Sequence, residues 1–326
     1  MALFRKNNLQ QDLNTGFGTN SNSTGGRFIN RDGRPNVIKK GVSFLQRYSW
    51  YHTMLGMRRG KFLFLLFLVY ILVNLLFAGI YFLIGSEHLA GIDHSSPLKV
   101  FTEVFFFSTQ TFTTVGYGRI SPVGFLTSAV ATFEAFLGLL SFAIATGLFY
   151  GRFSRPRIFL RFSDIAVIAP YRGGTALMLR VAPYKNNNLS DVEARLTMAV
   201  TTEDNGKLTD KFYDLSLEFD HISGLALSWT IVHPIDEKSP FFGWTEGNIA
   251  STDIEVMIYM KAFDQVFSNN VITRTSYISS EIVWGAKFRM MYEPNEDKSK
   301  TILDLGKMND IDRVDLPGFN SAPSQS

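Results

Sequence analysis

Hydrophobic and polar positions sort the chain into stretches of different period. Residues 1–36 are rich in Asn, Gly, Ser and Arg and show no apolar repeat, which predicts a mostly disordered tail. From Phe62 to Ile84, "FLFLLFLVYILVNLLFAGIYFLI" contains no charge. At about 1.5 Å per helical residue it is long enough to cross a bilayer core with some tilt. A second apolar run extends from about Val123 to Tyr150 and is broken only by Glu134. A long hydrophilic segment precedes the first run, so that run does not read as a cleaved signal peptide.

Beyond Pro156 the period changes to two. "FYDLSLEFD" places Phe212, Asp214, Ser216, Glu218 and Asp220 on one face and Tyr213, Leu215, Leu217 and Phe219 on the other. "DIEVMIYMK" does likewise with Ile254, Val256, Ile258 and Met260. Further β-rich runs, "TALMLRVAP", "ARLTMAVTT", "LALSWTIVH" and "VITRTSYIS", follow at short intervals with Gly, Asn and Pro between them. The pattern favours an all-β sandwich. The expected organisation is a tail over 1–36, an interfacial-helix region over 37–60, a membrane domain over 61–157, a β-sandwich over 158–295 and a second tail over 296–326.

Charge orients the two spans. Lys39, Lys40, Arg47, Arg58, Arg59 and Lys61 precede the first and Arg152, Arg155, Arg157 and Arg161 follow the second, whereas the connecting loop holds only Lys99 and Arg119. The positive-inside rule then puts both termini in the cytoplasm and the protein in the cell (inner) membrane. A formal net charge of +3 is too small to suggest a nucleic-acid partner. With no cysteine, disulfides, thiolate catalysis and cysteine-ligated metals are excluded. The five histidines lack metal-ligand spacing, no GxGxxG follows a strand, and no nucleophile is paired with a base. The sequence therefore predicts no enzyme and no organic cofactor.

Between the spans lies "SSPLKVFTEVFFFSTQTFTTVGYGRISP". Ser96 and Pro97 offer an N-cap followed by proline at the first helical position, predicting a short helix to about Phe112. Such a helix reaches only partway through a bilayer, so it reads as re-entrant. A non-helical return at membrane depth is tolerated only where its backbone is buried in protein or lines an aqueous path. Carbonyls of Thr114, Val115, Gly116 and Tyr117, with the Thr114 hydroxyl, can point the same way if alternate residues take left-handed dihedrals, which suits Gly116 and Gly118. The segment resembles the selectivity filter of potassium channels, which implies K⁺ as ligand and a homotetramer, because one loop supplies a quarter of the cage.

Together with "RFINRDGRPNV", "GRFSRPR", "HPIDEKSP" and "SYISSEIVWG", this order of spans and filter resembles the inward-rectifier potassium channel family over roughly Arg27 to Gly285. The resemblance implies a two-span pore domain with a re-entrant pore helix, joined to a cytoplasmic immunoglobulin-like β-sandwich that extends the pore. Eukaryotic members carry a cysteine pair flanking the pore loop, and many have a bracing glutamate where this chain has Gln110. Both departures imply a bacterial member.

Site residues follow from the resemblance. The rectification-controlling position falls on Phe142, which lacks the acid that holds Mg²⁺ or polyamines in strong rectifiers; weak rectification is expected, and simple helix packing stays open beside it. Tyr150 corresponds to the bulky residue at the helix-bundle crossing, a hydrophobic gate, against the alternative of an interfacial tyrosine. "IYMKAFDQVFSNNV" matches an apical constriction loop, with Ala262, Phe263, Phe267 and Asn270 around it; without the resemblance it reads as a hairpin turn. Arg152, Arg155, Arg157 and Lys185 match residues that contact anionic lipid, including phosphoinositide, although topology alone accounts for many such arginines. "SFLQRYSWYHTMLGMRRGK" suits an interfacial slide helix. Glu134 is either a buried brace for the pore helix or part of the ion pathway. Asn74 is assigned to interhelical hydrogen bonding, and Arg119 stands near the outer mouth with Glu87 and Asp93 as possible partners. The competing reading is a non-conducting membrane-anchored β-domain receptor.

Overall fold

The computed structural model describes residues 26–41, 49–156, 158–185, 189–204 and 207–317, with Gly16 and Ser43. The chain divides into two compact units, one of residues 40–155 and one made of the rest.

The first unit is helical. Helix α1 (Trp50–Gly56) starts at Ser49, whose side-chain oxygen accepts the His52 N–H. It lies within the expected slide helix, of which residues 44–48 fall outside the described residues. Helices α2 (Arg59–Ile84) and α4 (Phe125–Phe153) are the two spans, and α3 (Pro97–Phe112) is the short helix between them. Ser96 caps α3 as expected, accepting the Lys99 N–H, with Pro97 in the first turn. Two short antiparallel strands, β1 (Leu89–Ala90) and β2 (Ser121–Pro122), tie the loop after α2 to the segment before α4. Phe77, Ala78, Tyr81, Val104, Phe107 and Ala131 pack these helices together. Only 17% of the most apolar stretch of α2 and 11% of that of α4 is buried, so most of their apolar surface faces outward.

The second unit is an immunoglobulin-like β-sandwich. Its strands are β3 (Leu160–Phe162), β4 (Ala166–Tyr171), β5 (Gly174–Pro183), β6 (Leu189–Asp204), β7 (Lys207–Leu215), β8 (His221–Gly224), β9 (Trp229–Ile235), β10 (Ile254–Asp264), β11 (Asn269–Ile278) and β12 (Ile282–Trp284). One sheet runs β11-β10-β6-β7, with β8 beside β7 along the same edge of β6; the other runs β12-β4-β5-β3, with β9 on the opposite edge of β5. The short helix α5 (Glu246–Ser251) carries a capping box between Thr245 and Asn248. Inner-face residues of both sheets, among them Ile168, Leu177, Leu179, Met198, Ile231 and Ile258, form one core.

Strand β10 bears out the alternation of Ile254, Val256, Ile258 and Met260, all of them buried. Its other face departs from a solvated one: Glu255 and Met257 are buried too. The cover is the segment around Phe28 and Ile29, which packs on Ala199, Phe212 and Met257. Glu255 accepts the N–H groups of Phe28 (2.6 Å) and Ile29 (3.1 Å), and Ser276 donates to the Ile29 carbonyl at 2.6 Å. Arg27 and Arg31 both pair with Glu281. The expected disordered tail is thus corrected over residues 27–36, where charge pairs and backbone hydrogen bonds hold the segment on the sheet. Residues 1–15 and 17–25 of that tail lie outside the described residues. The same contact explains Phe212, expected on a polar face but buried by Phe28 at 5.3 Å between ring centroids.

The expected C-terminal tail is corrected as well. Strands β13 (Ala286–Phe288), β14 (Tyr292–Pro294), β15 (Thr301–Leu303) and β16 (Ile311–Arg313) pair β13 with β16 and β14 with β15. Met308 is fully buried against Ala182 and Met291. A few apolar anchors hold this segment, too sparse to show a period. Residues 318–326 lie outside the described residues.

Candidate functional site

The site begins where α3 ends. Thr113 closes the helix by donating its N–H to the Thr109 carbonyl, and the chain then turns back. The carbonyl of Gln110 accepts the N–H groups of both Val115 (2.9 Å) and Gly116 (3.4 Å), so the returning strand is pinned to the helix by main chain. Thr114 (φ 58°), Gly116 (φ 53°) and Gly118 (φ 81°) occupy the left-handed region, and the residues between them do not. This is the alternation expected of carbonyls aligned on one side. It includes a position that glycine content does not reveal, because Thr114 holds a conformation rare for a β-branched residue. The whole of 113–119 is exposed in the single chain.

Three helices are joined behind this segment by polar side chains in an apolar setting. Glu134 of α4 accepts from the Tyr81 hydroxyl of α2 at 2.6 Å and from the Ser108 hydroxyl of α3 at 2.5 Å. Ser108 also lies 3.2 Å from the side-chain oxygen of Asn74 on α2. Of the two readings of Glu134, the brace matches this geometry; Asn74 makes the interhelical contact expected of it. Gly138 serves the same junction: a Cβ there would overlap the Phe112 carbonyl, so α4 and the end of α3 approach only at glycine. Tyr81 and Ser108 carry no sequence signal that distinguishes them from neighbouring span residues.

Arg119 pairs with Glu103, at 3.0 Å, and with neither Glu87 nor Asp93. The other Glu103 oxygen accepts the Asp93 N–H at 2.8 Å, and Lys99 pairs with Asp93. Sequence reasoning missed Glu103. Its signal is a lone carboxylate in the largely apolar helix "LKVFTEVFFFS", where an acid is costly without a partner.

Comparisons with known proteins agree with this geometry. The inward rectifier potassium channel C-terminal domain family matches residues 160–325, and the ion channel family matches residues 66–155. The chain is 33% identical over 290 residues to the inward rectifier potassium channel Kirbac3.1 of Paramagnetospirillum magnetotacticum, covering 87% of this chain and 95% of that one. It is 24% identical to the inward rectifier potassium channel irk-1 of Caenorhabditis elegans, covering 88% of this chain and 56% of the worm protein. A similarity to the sporulation control protein Spo0M of Bacillus subtilis, with 9% identity over 38% of this chain and 49% of that one, has a TM-score of 0.22 and carries no argument. This chain belongs to the inward-rectifier potassium channel family. As a bacterial member it is a membrane ion channel with K⁺ as permeant ion, and the family is not one of enzymes.

The remaining residues singled out by the inward-rectifier resemblance are placed as follows. Phe142 and Tyr150 are both exposed on α4, at 74% and 75%; Phe142 continues the helical stripe of Ala131 and Gly138 one turn further along. Arg152 is engaged within its own unit: it donates to the carbonyls of Met54 (2.8 Å), Leu55 and Met57 at the end of α1, and its guanidinium lies 4.9 Å from the Phe62 ring centre. A cation at a helix C-terminus is favourable, so Arg152 fastens α1 to α4. Arg155 is exposed, and Arg157 lies outside the described residues. Lys185 is exposed, with its ammonium 4.2 Å from the Phe159 ring centre.

The β10–β11 hairpin carries the residues that the resemblance assigns to a cytoplasmic constriction. Asp264 accepts the Val266 and Phe267 N–H groups, and Phe263 pairs with Asn270 across the hairpin. Phe267 and Asn270 are exposed and Phe263 is half-buried. Ala262 departs from that assignment: it is fully buried in the sandwich core, because the strand alternation turns it inward. His233 is a satisfied core residue, with ring nitrogens 2.7 Å from the Ser216 carbonyl and 2.8 Å from the Ser239 hydroxyl. No cluster of His, Cys, Asp or Glu among the described residues has the geometry of a metal site.

Proposed function

We propose that four copies of this chain meet around one axis and conduct K⁺ passively. Main-chain oxygens of Thr114, Val115, Gly116 and Tyr117, with the Thr114 hydroxyl, replace the water shell of the ion. The observation that carries this reading is the left-handed backbone at Thr114, Gly116 and Gly118, held by the Gln110 carbonyl. Fixed carbonyl dipoles offset dehydration, and adjacent sites let ions repel one another forward. The exposed apolar faces of α2 and α4 support an assembly in which lipid and neighbouring copies cover them. Both termini lie in the cytoplasm and the spans in the inner membrane, as the flanking basic residues direct.

The finer assignments rest on position. Phe142 faces the conduction path without an acid, so block by internal Mg²⁺ or polyamines is weak. Tyr150 forms a hydrophobic gate that closes by dewetting, biased by the β-domain. Phe263, Phe267 and Asn270 narrow the cytoplasmic path. Arg155, Arg157 and Lys185 take anionic lipid, phosphoinositide included, at about 1 kcal/mol per cation near the leaflet. Arg152 has carbonyl partners of its own and couples the slide helix to the gate.

Reconstitution tests the central reading. Purified protein in liposomes is expected to be tetrameric and to take up rubidium through a barium-sensitive route that sodium does not use. A monomer in bilayers, or equal passage of sodium and potassium, overturns it. Repeating the flux with and without anionic lipid tests the lipid sites.

A further inference from the structure

The geometry of the outer mouth points to Arg119 as a residue that determines which cations reach the filter from outside, with Glu103 setting its strength. We propose that a ring of Arg119 side chains, each partly neutralised by its own Glu103, disfavours divalent over monovalent cations at the entrance. The inference rests on the four-copy reading above, since one chain supplies one arginine.

Arg119 directly follows Gly118, the last left-handed position of the filter segment. Its backbone is held in place: Leu89 and Ala90 pair with Pro122 and Ser121, and Val123 donates to the His88 carbonyl at 2.8 Å. Gly91 (φ 90°) sits so close that a Cβ there would overlap the Arg119 carbonyl. The side chain, by contrast, is 64% exposed, whereas its partner Glu103 is 11% exposed. The positive end of the pair therefore faces solvent and the negative end is set into the protein. The neighbouring Lys99–Asp93 pair has both members about equally exposed and contributes no such polarity. Glu87 is the remaining acid of the connecting loop and makes no contact with Arg119 among the described residues.

Charge near an entrance changes local ion concentration exponentially. A potential that multiplies a monovalent ion's concentration by some factor multiplies that of a divalent ion by its square. Four exposed cations about 10 Å from an arriving ion, screened at ordinary salt, change the divalent concentration on the order of tenfold. Glu103 opposes this from a greater depth. Removing the arginine and removing the glutamate thus act in opposite directions, which loss of a merely structural contact would not do.

The test is single-channel recording in planar bilayers with Ba²⁺ added to each chamber in turn. Arg119→Gln is expected to tighten block from one side only, by on the order of tenfold. Glu103→Gln is expected to weaken block from that side, and Arg119→Lys to resemble wild type. Both shifts should shrink as ionic strength is raised with an impermeant salt. Because the chain has no cysteine, Arg119→Cys offers a second route: a cationic methanethiosulfonate label should restore weak block and an anionic one tighten it further. Shifts of the same sign in Arg119→Gln and Glu103→Gln, shifts insensitive to salt, or unchanged block in all variants would overturn the proposal. Absence of potassium current in the wild type would instead refute the channel reading on which it rests.

Discussion

The two units of this protein solve the problem of burial in different ways. The β-unit closes on itself: inner faces of two sheets, with Leu177, Leu179, Met198 and Ile258 fully buried, form a core that needs nothing from outside. The pore unit leaves large side chains such as Phe64, Phe67, Phe125 and Phe136 exposed while it buries Asn74, Ser108 and Glu134. In lipid, apolar contact does not distinguish neighbour from solvent, so packing and a few hydrogen bonds decide which helix faces meet. The comparison teaches that the same apolar residues define an inside in one unit and an outside in the other.

The comparison breaks most readily at the proposed filter. Gly116→Ala forces a Cβ into a left-handed position in every copy, at about 1–2 kcal/mol each. Rubidium uptake is expected to fall more than ~100-fold in the proposed four-copy assembly, with thermal melting of the β-unit unchanged. Leu179→Ala inverts the test. It opens a cavity in the sandwich core and should lower β-unit stability by about 2–5 kcal/mol, read by urea unfolding of the full chain.

Smaller effects sharpen the contrast. Glu255→Ala leaves the Phe28 and Ile29 N–H groups without their acceptor, expected to cost about 1–3 kcal/mol. The check is faster tryptic cleavage at Arg27 and Arg31. In the pore unit, Glu134→Gln keeps an acceptor for Tyr81 and should lower the thermal stability of the assembled oligomer by only about 0.6–1.7 kcal/mol. Glu134→Leu, which removes both contacts, should lower it further. The mildest expectation concerns pH. Burial holds the His233 imidazole below its ordinary range, so the unfolded chain takes up the proton first. Its contribution to β-unit stability is complete above about pH 6.5 and is lost as pH falls through that value, by less than about 1.4 kcal/mol per unit. His233→Gln should flatten the urea midpoint between pH 7.5 and pH 5.5.

Much of this was legible in the chain. Ser96 and Pro97 announce the start of α3, and the alternation of Ile254, Val256, Ile258 and Met260 announces β10, because caps and strand faces depend on neighbours a few residues away. The second face of β10 was not legible. Glu255 and Met257 look solvated until the segment around Phe28 arrives from more than two hundred residues earlier. Ala262 was misplaced for a related reason: the resemblance marked a hairpin, and strand alternation turned this residue of it inward. Arg119 reads from the chain as a charge near the mouth, whereas its partner Glu103 on α3 is fixed only by the fold.

The sequence by itself determined the lengths of the spans, the capped re-entrant helix, the glycines that permit left-handed turns and the family. Those are short-range matters of sterics and hydrophobic length. Tertiary structure alone decided that Thr114 joins the glycines in the left-handed region, that Glu134 holds three helices, that Arg119 finds Glu103 and that Arg152 fastens α1. The physical reason is that a uniformly apolar helix carries little information about its own orientation. Partners are chosen by where few polar groups find one another, and that is settled only when the helices are brought together.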